Sequence, residues 1–283
     1  MTKYPWRLLG NNAQYIRFPF DDFLQDQKRM GMESADLTLQ SPHIYIDSEE
    51  YEPLGPIKEK LRGAGLSARC VTPMPYRYSI CAEAGTMQRE KTLAYYQQCI
   101  LAAEELQAES LCITASGACY DLDRALLMLN AVQMLKELAE FAGKHGVLLL
   151  LGSVLGEESP CNASTPVLVS LEEIASLLQT VDSENLKAYL DTAVISLRGE
   201  TISQWFETLG DKIRLVRFTD GNYNGYRVWG EGCLPCGKFI RELLYTGFAG
   251  DLSLQIPGER YTSAPAAAQE QNLSYLRSCL EEV

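Results

Sequence analysis

Short apolar, β-branched runs alternate with longer amphipathic stretches along nearly the whole chain, and no other feature narrows the fold as much. Eight runs read as strands: AQYIRF (13–18), ADLTLQ (35–40), LSARCVTP (66–73), SLCITAS (110–116), GVLLLLGS (146–153), LKAYLDT (186–192), KIRLVRFTD (212–220) and DLSLQIP (251–257). Between them the apolar period lengthens to three or four residues. Leu93, Tyr96, Ile100 and Ala103 share one helical face, as do Met128, Val132, Leu135, Ala139 and Ala142. Ser170 with Glu173 has the spacing of a capping box opening a helix over 171–179. Gly65, Gly146 and Gly247 each stand between a helical stretch and a strand, where a left-handed residue stops the helix.

Strand–helix alternation implies a parallel sheet with right-handed crossovers. Eight such repeats match an α/β fold of one kind, the single (β/α)8 TIM barrel, whose usual length is roughly 250 residues. An open doubly wound sheet is the competing reading, but no G-x-G-x-x-G follows the first strand. No composition shift or low-complexity segment divides the chain, so residues 1–283 read as one barrel domain. In a barrel, function sits where the strands run out into loops at their C-terminal ends. Alternation along each strand then separates inward from outward side chains.

A net charge of −12 disfavours nucleic-acid binding, which needs basic surface to displace counterions from phosphates. The longest apolar run, Val147 to Leu151, is far too short to span a bilayer. Nine cysteines without a secretory signal fit a reducing, cytoplasmic setting.

Six segments in order carry a family resemblance: 87–116, LKELAEFAGKHGVLLLLGS (135–153), KAYLDTAV (187–194), IRLVRFTDG (213–221), GYRVWGEG (225–232) and DLSLQIPG (251–258). Together the chain resembles the xylose-isomerase-like TIM-barrel family of sugar isomerases, ketose epimerases and, more distantly, endonuclease IV. The resemblance implies a carbohydrate or sugar-phosphate substrate, and barrels that pair as homodimers. It also implies a divalent cation held by Glu, Asp, His and Glu from the last four strands. There a carboxylate abstracts the proton beside a carbonyl while the metal stabilises the enediolate.

Residue by residue, the ligand set is degenerate. Gly152 stands at the fifth-strand glutamate, Val194 three residues after the retained Asp191, Arg217 at the seventh-strand histidine and Gln255 at the eighth-strand glutamate. A guanidinium does not bind a cation, and one carboxylate with an amide oxygen is a poor Mg²⁺ or Mn²⁺ site. The expectation is therefore no metal of the usual kind, unless Glu157 or Glu158 in the following loop supplies a displaced carboxylate.

The arginine in IRLVRFTDG is the residue to explain. Ile213, Leu215 and Arg217 share one parity and Val216 and Phe218 the other, which points Arg217 into the barrel mouth. Two readings stay open. Arg217 forms a structural pair with Asp191, or Arg217 and Arg227 bind an anionic sugar whose acceptors suit planar forks. Asp220, Glu231, Gln255 and His43 complete the candidate substrate-binding set, with Tyr226 and Trp229 placed for ring stacking. His43 has packing as its plainer reading. His145 precedes the fifth strand, at the wrong end. Cys233 and Cys236 have metal or redox spacing but no second pair.

Two functions from different classes follow: a sugar isomerase or epimerase, and a non-catalytic or metal-independent protein binding an anionic sugar. An endonuclease needs a multi-histidine cluster that two histidines cannot build.

Overall fold

Eight parallel strands close into a barrel in a computed structural model that describes residues 5–74, 78–115, 122–154, 167–258 and 260–282. In chain order the strands are β1 (Arg7–Asn11), β2 (Ser34–Leu39), β3 (Ser67–Pro73), β4 (Ser110–Thr114), β5 (Leu148–Gly152), β6 (Leu186–Asp191), β7 (Ile213–Arg217), β8 (Asp220–Asn222), β9 (Gly225–Arg227) and β10 (Asp251–Ser253). Going round the barrel the order is β1, β10, β7, β6, β5, β4, β3, β2, while β8 and β9 form a separate antiparallel hairpin. The helices are α1 (Phe20–Arg29), α2 (Gly55–Ala64), α3 (Met87–Leu106), α4 (Arg124–Lys144), α5 (Leu171–Val181), α6 (Thr192–Leu197), α7 (Ile202–Leu209), α8 (Cys236–Tyr245) and α9 (Pro265–Glu281). The expected (β/α)8 barrel is the observed fold.

Seven of the eight strands lie where their apolar runs predict; the first does not. AQYIRF holds a 3-10 turn, Ala13–Tyr15, and β1 is the preceding RLLGN. Gly10 and Asn11 lie at the end of this strand, and their roles are tertiary. A Cβ on Gly10 would stand 1.7 Å from Gln27 Oε1, so this glycine lets α1 approach the strand. Asn11 turns the chain by accepting from the Ala13 amide at 2.7 Å.

The capping box is present in both directions: the Glu173 amide donates to Ser170 Oγ, and the Glu173 carboxylate accepts from the Ser170 amide. It opens α5, which runs two residues beyond the expected end. Gly65, Gly146 and Gly247 all have left-handed φ, between +67° and +74°, as their place after a helix requires.

Two apolar layers hold the barrel. The outer one packs helices on strands and includes Leu37, Ile113, Leu151, Val216 and Phe218. The inner one is small: Leu9, Cys70, Cys112, Leu150, Tyr189 and Leu215. Each large apolar side chain buried there stabilises the fold by roughly 1.5–3 kcal/mol. A register shift between Ala188 and Tyr189 leaves Arg214 as an extra residue on β7. Ile213 consequently packs in the outer layer, while Leu215 and Arg217 turn inward. A simple parity count along β7 misses this bulge.

Candidate functional site

The β6–β7 register sets Asp191 opposite Arg217 at the C-terminal mouth. α6 starts on the residue after Asp191, with no loop between. The Asp191 carboxylate therefore caps the helix: Oδ1 accepts from the Ala193 amide at 3.0 Å and the Val194 amide at 3.2 Å. Its other oxygen, Oδ2, accepts from the Tyr226 hydroxyl at 3.2 Å and faces Arg217 Nη1 at 3.6 Å. Both side chains of the ion pair are almost fully enclosed, 1% exposed for Asp191 and 8% for Arg217.

Burial raises the Asp191 carboxyl above its ordinary range, opposed by Arg217 and by the helix amides. Burial acts against the Arg217 charge too, but the Asp191 and Asp36 carboxylates help to outweigh it and keep the guanidinium ionised. Arg217 Cζ lies 4.9 Å from the centre of the Tyr189 ring, a cation–π contact. Arg217 Nε and Nη2 are buried without a hydrogen-bond partner among the described residues.

Tyr189 also explains Gly152. A Cβ at position 152 would lie 2.1 Å from Tyr189 Cζ and 2.3 Å from Cε1. The ring fills the space that a fifth-strand side chain would occupy, so the absence of an acid there is matched by its neighbour. Gln255 donates through Nε2 to Thr38 Oγ1 at 3.2 Å, and its Oε1 is buried without a partner. Ser153 Oγ, one residue past β5, is likewise buried and unpartnered.

A polar layer beneath the mouth contains residues that the sequence reading passed over. Asp36 accepts from Thr72 Oγ1 at 2.8 Å and from Ser253 Oγ at 2.7 Å, and is wholly buried. Asn11 Nδ2 donates to Thr38 Oγ1 at 3.2 Å. The signal was available: in ADLTLQ, Asp36 and Thr38 alternate with Ala35, Leu37 and Leu39, which is the parity of a strand with a polar inner face.

The other candidates sit elsewhere. Asp220 spends both oxygens on loop amides: Gly221 and Leu234 donate to Oδ1, Gly230 and Gly232 to Oδ2, at 2.7–3.0 Å. Arg227 turns back on its hairpin, with Nη1 donating to the carbonyls of Asn224 and Tyr226. Glu231 accepts from the Tyr261 hydroxyl at 2.7 Å. His43 Nε2 lies 2.8 Å from the Phe18 carbonyl and Nδ1 3.2 Å from Asn12 Nδ2, so the ring donates to one and accepts from the other. Burial holds its pKa below 6.5.

Trp229 is enclosed, its ring tilted against Phe218 with centroids 4.7 Å apart. Cys233 is exposed; Cys236 is buried, and burial followed by Cys279 pushes its thiol up. Glu157 and Glu158 lie outside the described residues. Of the sequence candidates, the structure brings together Asp191 and Arg217, with Tyr226 as a third member, and sets Gln255 two residues past β10, the strand whose Ser253 pairs with Arg217.

No three His, Cys, Asp or Glu side chains converge among the described residues. The four mapped positions offer one carboxylate, committed to helix amides and an arginine, together with a glycine, an arginine and an amide. This donor set does not fit a divalent cation. A cavity of about 670 Å³ opens at the opposite end of the barrel, among Arg7, Leu148, Phe206, Phe248 and Asp251. We place the site at the mouth instead, because that is where barrel loops converge and where Arg217, Ser153 and Gln255 leave polar atoms unanswered.

A family model described as "Xylose isomerase-like TIM barrel" matches residues 24–279. Fructoselysine 3-epimerase of Shigella flexneri is 24% identical over 272 residues, covering 94% of this chain and 95% of that protein. The Escherichia coli O157:H7 protein of the same name matches to the same extent. Among solved structures, D-psicose 3-epimerase with D-tagatose from Clostridium cellulolyticum H10 superposes with a TM-score of 0.73 at 16% identity, covering 97% of each chain. The IOLI protein with a binding zinc atom gives 0.79 at 14% identity, covering 98% of each.

Proposed function

Because this chain belongs to the xylose isomerase-like TIM barrel family, we propose that it takes a carbohydrate at the C-terminal mouth, as a sugar isomerase- or epimerase-type protein whose divalent-metal site is largely lost. Epimerase names among its relatives support a sugar ligand. One observation carries the rest of the reading. Where the resemblance implies a histidine ligand, Arg217 brings a fixed positive charge against Asp191, and Tyr189 fills the space above Gly152. A guanidinium can answer charge that develops on a sugar oxygen, as a cation does, but through directed N–H donors.

Both glutamates of the implied proton shuttle are replaced, by Gly152 and Gln255. Any proton transfer must therefore use another group, and we assign none. The alternative, metal-independent binding of an anionic sugar without turnover, is favoured by the unpartnered edge of Arg217.

The test combines metal analysis of the purified protein with binding and epimerisation assays on ketoses, with chelator and with added Mn²⁺, Mg²⁺ or Co²⁺. Sugar binding that is unchanged by chelator is the expected result. Stoichiometric metal with metal-dependent turnover would overturn the reading.

A further inference from the structure

Resting on the carbohydrate reading above, we infer that the ligand is a sugar acid whose carboxylate docks side-on to the Nε–Nη2 edge of Arg217. The argument begins with hydrogen-bond accounting at the mouth. Asp191 has both oxygens answered, one by two helix amides and the other by Tyr226 and Arg217 Nη1. Asp36 has both answered by the hydroxyls of Thr72 and Ser253. No carboxylate oxygen in this cluster lacks a donor.

The donors are the groups in surplus. Arg217 is only 7% exposed, yet Nε and Nη2 have no hydrogen-bond partner among the described residues. These two nitrogens form one edge of the guanidinium, with two parallel N–H bonds in one plane. That edge matches the two oxygens of a carboxylate. The face of the guanidinium is held by Tyr189 and its remaining terminal nitrogen by Asp191, so the free edge has a fixed direction. Preorganised donors of this kind bind without the entropy cost of ordering them.

Charge selects among anions. Asp191 and Asp36 both act on this one guanidinium. A phosphate dianion would add two further negative charges to that neighbourhood, against one for a carboxylate. Two neutral atoms at the ends of barrel strands are also unanswered among the described residues: Gln255 Oε1, on the extension of the strand paired with β7, and Ser153 Oγ after β5. Gln255 Oε1 accepts from a hydroxyl, and Ser153 donates to or accepts from one. A planar monoanion carrying hydroxyls, such as an aldonate or a uronate, answers the whole set. Both Arg217 nitrogens are enclosed in this conformation, so entry requires a neighbouring side chain to give way.

Calorimetry on the full chain tests this with D-glucuronate, D-galacturonate and D-gluconate, each against D-glucose, D-galactose, D-glucose 6-phosphate and glucuronamide. At least one acid is expected to bind about tenfold or more tighter than the neutral sugars, glucuronamide and the phosphate, the worth of a charge-assisted bidentate contact. Arg217→Lys keeps the charge without the edge and is expected to lose a similar factor for the acid only. Neutral sugar or phosphate binding as tightly as the acid would overturn the inference, as would unchanged acid binding in Arg217→Lys. If that variant fails to fold, the amide-against-acid comparison on the wild type decides alone. Binding of neutral sugars but no acid removes the carboxylate and leaves the carbohydrate reading standing; binding of no sugar at all removes both.

Discussion

Gly152 and Tyr189 are one decision made at two positions, and a double-mutant cycle measures it. A Cβ at 152 would sit 2.1 Å from Cζ and 2.6 Å from Cε2 of a ring that is 2% exposed. The obstacle is a rigid aromatic ring in a filled layer, with Leu150, Leu215, Cys70 and Cys112 packed in the same cluster. Overpacking of this kind costs about 1–3 kcal/mol, and the depth of overlap puts Gly152→Ala at the top of that range. Tyr189→Ala alone opens a cavity and costs about 3–5 kcal/mol. In the double variant the methyl group enters space that the ring has vacated, so the clash vanishes. The pair should therefore be less destabilised than the sum by about 2–3 kcal/mol, where independent sites add within about 0.5 kcal/mol.

Urea unfolding followed by circular dichroism reads all four proteins, with thermal melts as the second measurement. At about 2.1 cal/mol/K per residue over 283 residues, 3 kcal/mol corresponds to a melting shift of about 5 °C. A Gly152→Ala protein within 0.5 kcal/mol of wild type, or strict additivity of the two changes, would refute the view that Tyr189 excludes a side chain from this position.

Other expectations come from the same geometry. Asp191→Asn keeps an oxygen to cap α6 but leaves the buried Arg217 without its ion-pair partner, and should cost about 3 kcal/mol in urea unfolding. Asp220→Ala strips the partner from four loop amides; at about 1 kcal/mol for each net hydrogen bond, it should lose about 3–4 kcal/mol, and Asp220→Asn about half as much. His43 has a folded-state pKa below 6.5, from burial that outweighs the opposing pull of the Phe18 and Tyr15 backbone. Below pH 6.5 the unfolded chain therefore binds a proton that the folded chain resists, and stability should fall as pH drops from 6.5 through the folded pKa. A histidine-specific NMR titration, simplified by the presence of only two histidines, should give His43 a midpoint below 6.5; a midpoint above it would contradict the buried, neutral ring.

The barrel was legible from the chain's own pattern. Alternation of short apolar runs with helical periods is a local property, and closure of eight such units follows from burying one face of each. Seven strands, the α5 capping box and the glycine helix stops were legible for that reason. The first strand was not, because Gly10 and Asn11 owe their places to Gln27 and Asp36, 17 and 25 residues away in sequence. At the site, the resemblance placed Arg217 beside Asp191 by mapping them onto the ends of neighbouring strands, and the β6–β7 register sets them opposite each other although the parity count along β7 fails at Ile213.

What surrounds that pair depends on packing between distant elements. Tyr189 standing over Gly152, Tyr226 reaching Asp191 from a separate hairpin, and Asp36 held by β3 and β10 are contacts between elements far apart in the chain. The same holds for what was withdrawn from the mouth: Asp220 to its loop amides and Arg227 to its own hairpin carbonyls. A polar side chain at a strand end can face ligand or backbone equally well. The hydrogen-bond partners that choose between them come together only when the chain has folded.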